Sequence, residues 1–80
     1  MSALSDLKPG QSAEVVAITG EPALVQRLYE LGLCEGELVE FLTAAPLGDP
    51  LEVRISNTRL TLRKADAAGV TVRTLTPVAE

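Results

Sequence analysis

The sequence predicts a small, mainly β domain: a strongly curved antiparallel barrel of about five short strands, with one short α-helix inserted after the first strand. Three observations carry this expectation. Apolar and polar residues alternate from Leu51 to Leu62, the period-2 signature of strands buried on one face. Only one stretch, from Pro22 to Leu31, has helical spacing. Helices do not alternate with the strand-like runs, since one helix serves about five of them, and this excludes a repeated parallel βαβ arrangement.

The elements follow in order. Ser5-Asp6-Leu7-Lys8-Pro9-Gly10 ends in a Pro-Gly turn, where Gly10 supplies the positive φ of a type II turn. Ala13 to Ile18 is apolar but too short for a helix, and reads as a buried strand. Val15, Val16 and Ile18 cannot all share one face without a bulge or burial on both sides. Pro22 suits the first helical turn, where its missing N–H costs nothing. Leu24, Leu28 and Leu31 then form one stripe, with Val25 beside it, while Arg27 and Glu30 are spaced to pair at i, i+3. Gly32 stands where the helix should stop in the left-handed conformation, Leu33 folds back on the last turn, and Gly36 opens the next strand.

That strand is Leu38 to Ala45. Either Phe41 points inward with Val39, or it lies beside Leu38 and Leu42 on a curved strand. A loop with Pro46, Gly48 and Pro50 follows. In the next hairpin Leu51, Val53 and Ile55 face inward, as do Leu60 and Leu62, with Glu52, Arg54, Arg59, Thr61 and Arg63 outward. A turn over Ser56-Asn57-Thr58 is expected to pair Ile55 with Leu60 and Val53 with Leu62, and to set Glu52 opposite Arg63. Lys64 to Ala68 makes one helical turn stopped by Gly69. Val70 and Val72 begin a last strand that Pro77 ends, leaving a frayed tail over 77–80.

Eighty residues make a single domain over 1–80, and 46% apolar content supplies one core. Only Tyr29 and Phe41 are aromatic, so that core is aliphatic. Histidine is absent and Cys34 is the sole cysteine. This removes the usual general base, the commonest metal ligand, any intrachain disulfide and any multi-cysteine zinc site. No catalytic constellation or Gly-rich phosphate loop with its Lys-Ser/Thr occurs, so no enzyme and no cofactor are expected. The start has no basic and apolar leader, and no run approaches the roughly 18 apolar residues of a membrane span. A cytoplasmic, non-inserted protein is the expectation.

The formal net charge of −4 and the scarcity of aromatics argue against nucleic acid. The charge is uneven: residues 1–50 set Lys8 and Arg27 against eight acids, a net −6, whereas residues 51–80 carry five cations against three acids, a net +2. Either both signs are simply solvated, or a basic sheet face docks on an acidic partner.

Four pieces in order resemble the FeoA family, small cytosolic proteins and domains of ferrous iron transport systems. They are Leu4-Ser5-Asp6-Leu7-Lys8-Pro9-Gly10; Gln26-Arg27-Leu28-Tyr29-Glu30-Leu31-Gly32-Leu33 with Gly36; Ala45-Pro46-Leu47-Gly48-Asp49-Pro50; and Arg59-Leu60-Thr61-Leu62-Arg63-Lys64-Ala65-Asp66-Ala67. The resemblance implies an SH3-like barrel and a role beside FeoB, a membrane protein with a cytosolic GTP-binding domain that moves Fe²⁺. Similar domains end iron- and manganese-dependent repressors of the DtxR type, after a DNA-binding domain for which this chain leaves no room. The chain departs from the family pattern at three positions: Cys34 where Thr or Ser is common, Glu35 where Pro is usual, and Asn57 where Gly is frequent. Asn tolerates positive φ, so the turn at Asn57 is expected to persist.

Candidate residues sort by chemistry. Cys34, Glu35 and Glu37 are the weak candidates for a transition metal ion, since thiolate and carboxylate ligands suit Fe²⁺ but a site needs at least three convergent ligands. For a partner, Leu47 and Asp49 of the proline loop and Arg54, Arg59 and Arg63 of the sheet are the candidates. Leu47 is either a displayed recognition point or a cap on the open end of the barrel. Gly10, Gly32, Gly36, Gly48 and Asn57 are assigned to turns. The expected function is that of a non-enzymatic accessory protein binding the cytosolic part of a FeoB-type transporter, with self-association weak if present. The alternatives are a metal- or ligand-sensing regulatory domain and a GTPase activator acting in trans through an arginine.

Overall fold

The computed structural model describes residues 1–75, and the tail expected over 77–80 lies outside the described residues. In chain order it runs β1 (Ser2–Ala3), a 3-10 turn (Leu4–Asp6), β2 (Ser12–Ile18), α1 (Pro22–Glu30), β3 (Leu38–Ala44), β4 (Leu51–Ile55), β5 (Thr58–Leu62), α2 (Lys64–Ala67) and β6 (Val70–Thr74). The strands form one antiparallel sheet in the order β1-β6-β2-β3-β4-β5. The mainly β expectation holds, with six strands rather than five. The addition is β1, whose two residues pair with Thr71 and Val72 of β6, so α1 follows the second strand.

Bulges bend the sheet around one core. In β2 the pairing with β6 shifts between Val15 and Ala17, and in β3 the pairing with β4 shifts between Phe41 and Thr43. The first bulge resolves the crowding of Val15, Val16 and Ile18: Val15 is buried and the other two are half-buried. Phe41 and Val39 both face the core, and Leu38 is left 60% exposed. Leu4, Leu28, Leu33, Leu51, Val53, Val70 and Val72 complete an aliphatic interior with no buried polar or charged side chain among the described residues.

Helix α1 begins with Pro22 and ends in a Schellman motif, with Leu33 N–H donating to the Leu28 carbonyl (3.0 Å) and Gly32 N–H to that of Tyr29 (3.0 Å). Gly32 has φ +104°, which a residue with a Cβ adopts only at a cost. Leu28 and Leu33 are fully buried, but Leu31 is 40% exposed, so the expected stripe is narrower than its spacing. Arg27 does not pair with Glu30. Its guanidinium reaches Asp66 of α2 at 3.0 Å, and Glu30 instead accepts from Gln26. The tertiary partner wins because it ties two elements that the local pair would leave separate.

The β4–β5 hairpin keeps the expected faces and changes the register. Val53 pairs with Leu60, Leu51 with Leu62, and Glu52 with Thr61 rather than Arg63. The turn uses only Ser56 and Asn57, at φ +50° and +68°, the signature of a two-residue primed turn. The resulting shift of two residues leaves every side chain on its face, so no leucine moves to water.

At the far side of the core, Thr19 and Gly69 clasp the end of β2 to the turn before β6. The Gly69 carbonyl accepts from Thr19 N–H (2.8 Å) and from Thr19 Oγ1 (3.2 Å). A Cβ on Gly69 would stand 2.4 Å from the Thr19 carbonyl oxygen, so glycine is needed there for close approach.

Candidate partner-binding surface

The proline loop is a pinned turn. Gly48 N–H donates to the Ala45 carbonyl (2.6 Å) and Ala45 N–H to that of Pro50 (2.9 Å). Asp49 Oδ1 accepts from the backbone N–H of Lys64 at 3.0 Å. Lys64 is the first residue of α2, so Asp49 satisfies a donor that the helix itself leaves unpaired. Asp49 is therefore a strut between loop and helix in this fold. Leu47, at the tip, is 93% exposed. At that exposure it does not cap the open end of the barrel.

The arginines divide into two groups. Arg54 and Arg59 stand directly opposite each other across β4 and β5, a like-charge pairing that acids must offset. Glu40 meets Arg54 at 3.1 Å and Glu52 meets Arg59 at 3.1 Å. This outer face is consequently a neutral quartet, the mixed-sign surface that was one of the two readings of the charge pattern. Arg73 is likewise paired, with Glu14 of β2. Arg63 and Lys64 differ: no carboxylate of the described residues forms an ion pair with either. Both sit at the entry to α2, next to the loop through the Asp49 contact.

The Cys34–Glu35 corner has a structural occupation. The Tyr29 hydroxyl donates to the Glu35 carboxylate, 2.8 Å to Oε2 and 3.0 Å to Oε1. That hydrogen bond, then desolvation, then the nearby charges of Glu35 and Cys34 raise the Tyr29 phenol above its ordinary pKa. Cys34 Sγ lies 4.0 Å from the Tyr29 carbonyl oxygen, and Glu37 N–H closes a turn onto the Cys34 carbonyl at 3.0 Å. The candidates Cys34, Glu35 and Glu37 thus neighbour one another in sequence, with Glu35 turned to the tyrosine. Among the described residues no three His, Cys, Asp or Glu side chains are grouped as around a metal ion.

A shallow groove at the opposite end of the sheet is lined by Leu38, Glu40, Arg54, Asn57 and Leu75, with Leu38 and Leu75 contributing exposed apolar surface. Sequence reasoning missed this groove and the place of Lys64. No local signal marks either, because both arise where segments distant in the chain meet.

Residues 3–74 match the family model of the FeoA domain. The chain belongs to the FeoA family. This FeoA domain is 35% identical over 69 residues, 86% of its length, to the Fe(2+) transport protein A/Fe(2+) transporter FeoB fusion protein of Porphyromonas gingivalis (strain ATCC BAA-308 / W83), and spans 8% of that protein. Its fold superposes on the solution structure of the FeoA protein from Chlorobium tepidum with a TM-score of 0.86 at 46% identity, covering 92% of this chain and 70% of that one. The crystal structure of Stenotrophomonas maltophilia FeoA complexed with zinc, described as a prokaryotic SH3 domain protein, matches at a TM-score of 0.74 and 36% identity, covering 90% of this chain and 89% of that one. The SH3-like barrel expected from the sequence is thereby the fold of this FeoA domain.

Proposed function

We propose that this chain is a non-enzymatic accessory protein of a ferrous iron transport system, acting in the cytoplasm by binding the cytosolic part of a FeoB-type transporter. The observation that carries this reading is the Porphyromonas gingivalis relative, whose name places Fe(2+) transport protein A and the transporter FeoB in a single fusion protein. Covalent joining keeps two modules at high effective concentration, an arrangement that favours modules working in contact. The chain's own features agree. No helix of the described residues is long and apolar enough to cross a membrane, so attachment to a transporter would come through a surface. The surface offered is the Leu47–Asp49 loop with Arg63. Arg54 and Arg59, already engaged by Glu40 and Glu52, supply register and solubility more than binding.

The test is co-purification of the chain with the cytosolic part of its cognate transporter, in GTP-analogue, GDP and nucleotide-free states, together with GTP hydrolysis rates. Retention in at least one state with an unchanged hydrolysis rate supports docking. Stimulated hydrolysis that disappears in Arg63→Ala would replace docking by catalysis in trans. Absence of retention in all three states would overturn the reading.

A further inference from the structure

Resting on that reading, we propose that Leu47 is the knob of the docking surface, that its receptor on the transporter's cytosolic part is an apolar pocket with carboxylates at its rim, and that Asp49 is the positioning residue that holds the knob out.

Three features of the fold point to this. Leu47 is 93% exposed, yet its loop is not slack: hydrogen bonds pin it at Ala45, Gly48, Asp49 and Pro50. A branched aliphatic side chain fixed in water contributes nothing to the packing of its own domain, and its burial becomes available to a partner without further loss of loop entropy. The charges beside it give the partner's sign. On a chain of net charge −4, Arg63 and Lys64 form a local positive site whose side chains pair with no acid of the described residues. A carboxylate rim around an apolar pocket complements that pattern. An anionic membrane is the weaker fit, because one leucine and two cations on an acidic domain fall short of the paired signals that stable membrane anchoring takes. Asp49 enters through geometry: its bond to Lys64 N–H fastens the loop that carries Leu47 to the backbone that carries the two cations.

The test titrates the full chain against the immobilised cytosolic part of its transporter, after circular dichroism has shown that each variant is folded. Leu47→Asp is expected to weaken binding about tenfold or more. Leu38→Asp, at an exposed leucine of the opposite end, should stay within about twofold. The double variant Arg63→Glu, Lys64→Glu should slow association and flatten its salt dependence. Asp49→Ala should weaken binding, and Asp49→Asn should restore it, since the amide oxygen can still accept from Lys64 N–H. Leu47→Asp binding like the wild type overturns the knob while leaving the transporter reading intact. Asp49→Asn as weak as Asp49→Ala overturns the positioning role. Wild-type chain sedimenting with phosphatidylserine vesicles as strongly as it binds the transporter part would assign the surface to a membrane instead. Loss of wild-type binding altogether defeats the transporter reading itself.

Discussion

Gly69→Ala tests the close approach that ties the end of β2 to the turn before its neighbour β6. The new Cβ would lie 2.4 Å from the Thr19 carbonyl oxygen, whereas carbon and carbonyl oxygen ordinarily approach no closer than about 3.3 Å. The obstacle is backbone, so no side-chain rotation relieves it. Relief requires the β2 end and the turn before β6 to part by several tenths of an ångström. That separation strains the two bonds to the Gly69 carbonyl, from Thr19 N–H at 2.8 Å and Thr19 Oγ1 at 3.2 Å. Each is worth about 0.5–1.5 kcal/mol, and alanine returns about 0.4–1 kcal/mol by restricting the unfolded chain. Losing both bonds less that return leaves a net expectation of about 0.5–2 kcal/mol of lost stability. For a domain of this size each kcal/mol moves the melting temperature by about 4–8 °C. Urea unfolding followed by circular dichroism, with an unchanged m-value, is the assay. Thr19→Ala, which removes only the hydroxyl bond, should cost less than Gly69→Ala. A Gly69→Ala variant within about 0.5 kcal/mol of wild type would refute the close-approach argument.

Two further outcomes are expected. Gly32→Ala should cost about 1–2 kcal/mol for torsional reasons alone, since a Cβ there meets only Ile55 Cγ2 at 3.9 Å; Gly32→Asn should recover part of it in the same denaturation assay. Glu35→Gln should lower the Tyr29 phenol pKa toward its ordinary value in an ultraviolet titration, which reads this group alone because the chain has one tyrosine and no tryptophan. Because the raised pKa favours the neutral phenol in the fold, its stabilising contribution is full below the unfolded value of about 10 and disappears as pH rises through the folded value. Glu35→Gln should reduce that alkaline pH dependence.

Local periodicity carried most of the architecture. The stripe with its Gly32 stop located α1, and alternation placed Leu51, Val53, Ile55 and Leu62 inside, because these signals arise within a few residues of chain. What stayed illegible was nonlocal. β1 has only Ser2 and Ala3 and exists through its pairing with β6, so no pattern announces it. The hairpin slid by two residues because Ser56, a poor left-handed residue by itself, shares the turn with Asn57. Along the chain the arginines left both a mixed-sign and a basic face open, and the acids that decide it are Glu40 from β3 and Glu52 across from Thr61. Asp49 read as loop surface, while its partner is a backbone N–H fifteen residues on. Leu47 was among the expected residues, and its exposure, which no local pattern announces, is what rules out the barrel cap.

The measurement that bears most directly on an accessory role is calorimetric titration of the chain into its full-length FeoB-type transporter held in a lipid nanodisc, in each nucleotide state. The account predicts a saturable isotherm in at least one state, with its affinity reduced by Leu47→Asp. A flat trace in every state would contradict it, whereas a saturable one that Leu47→Asp leaves unchanged would contradict the role of Leu47 alone.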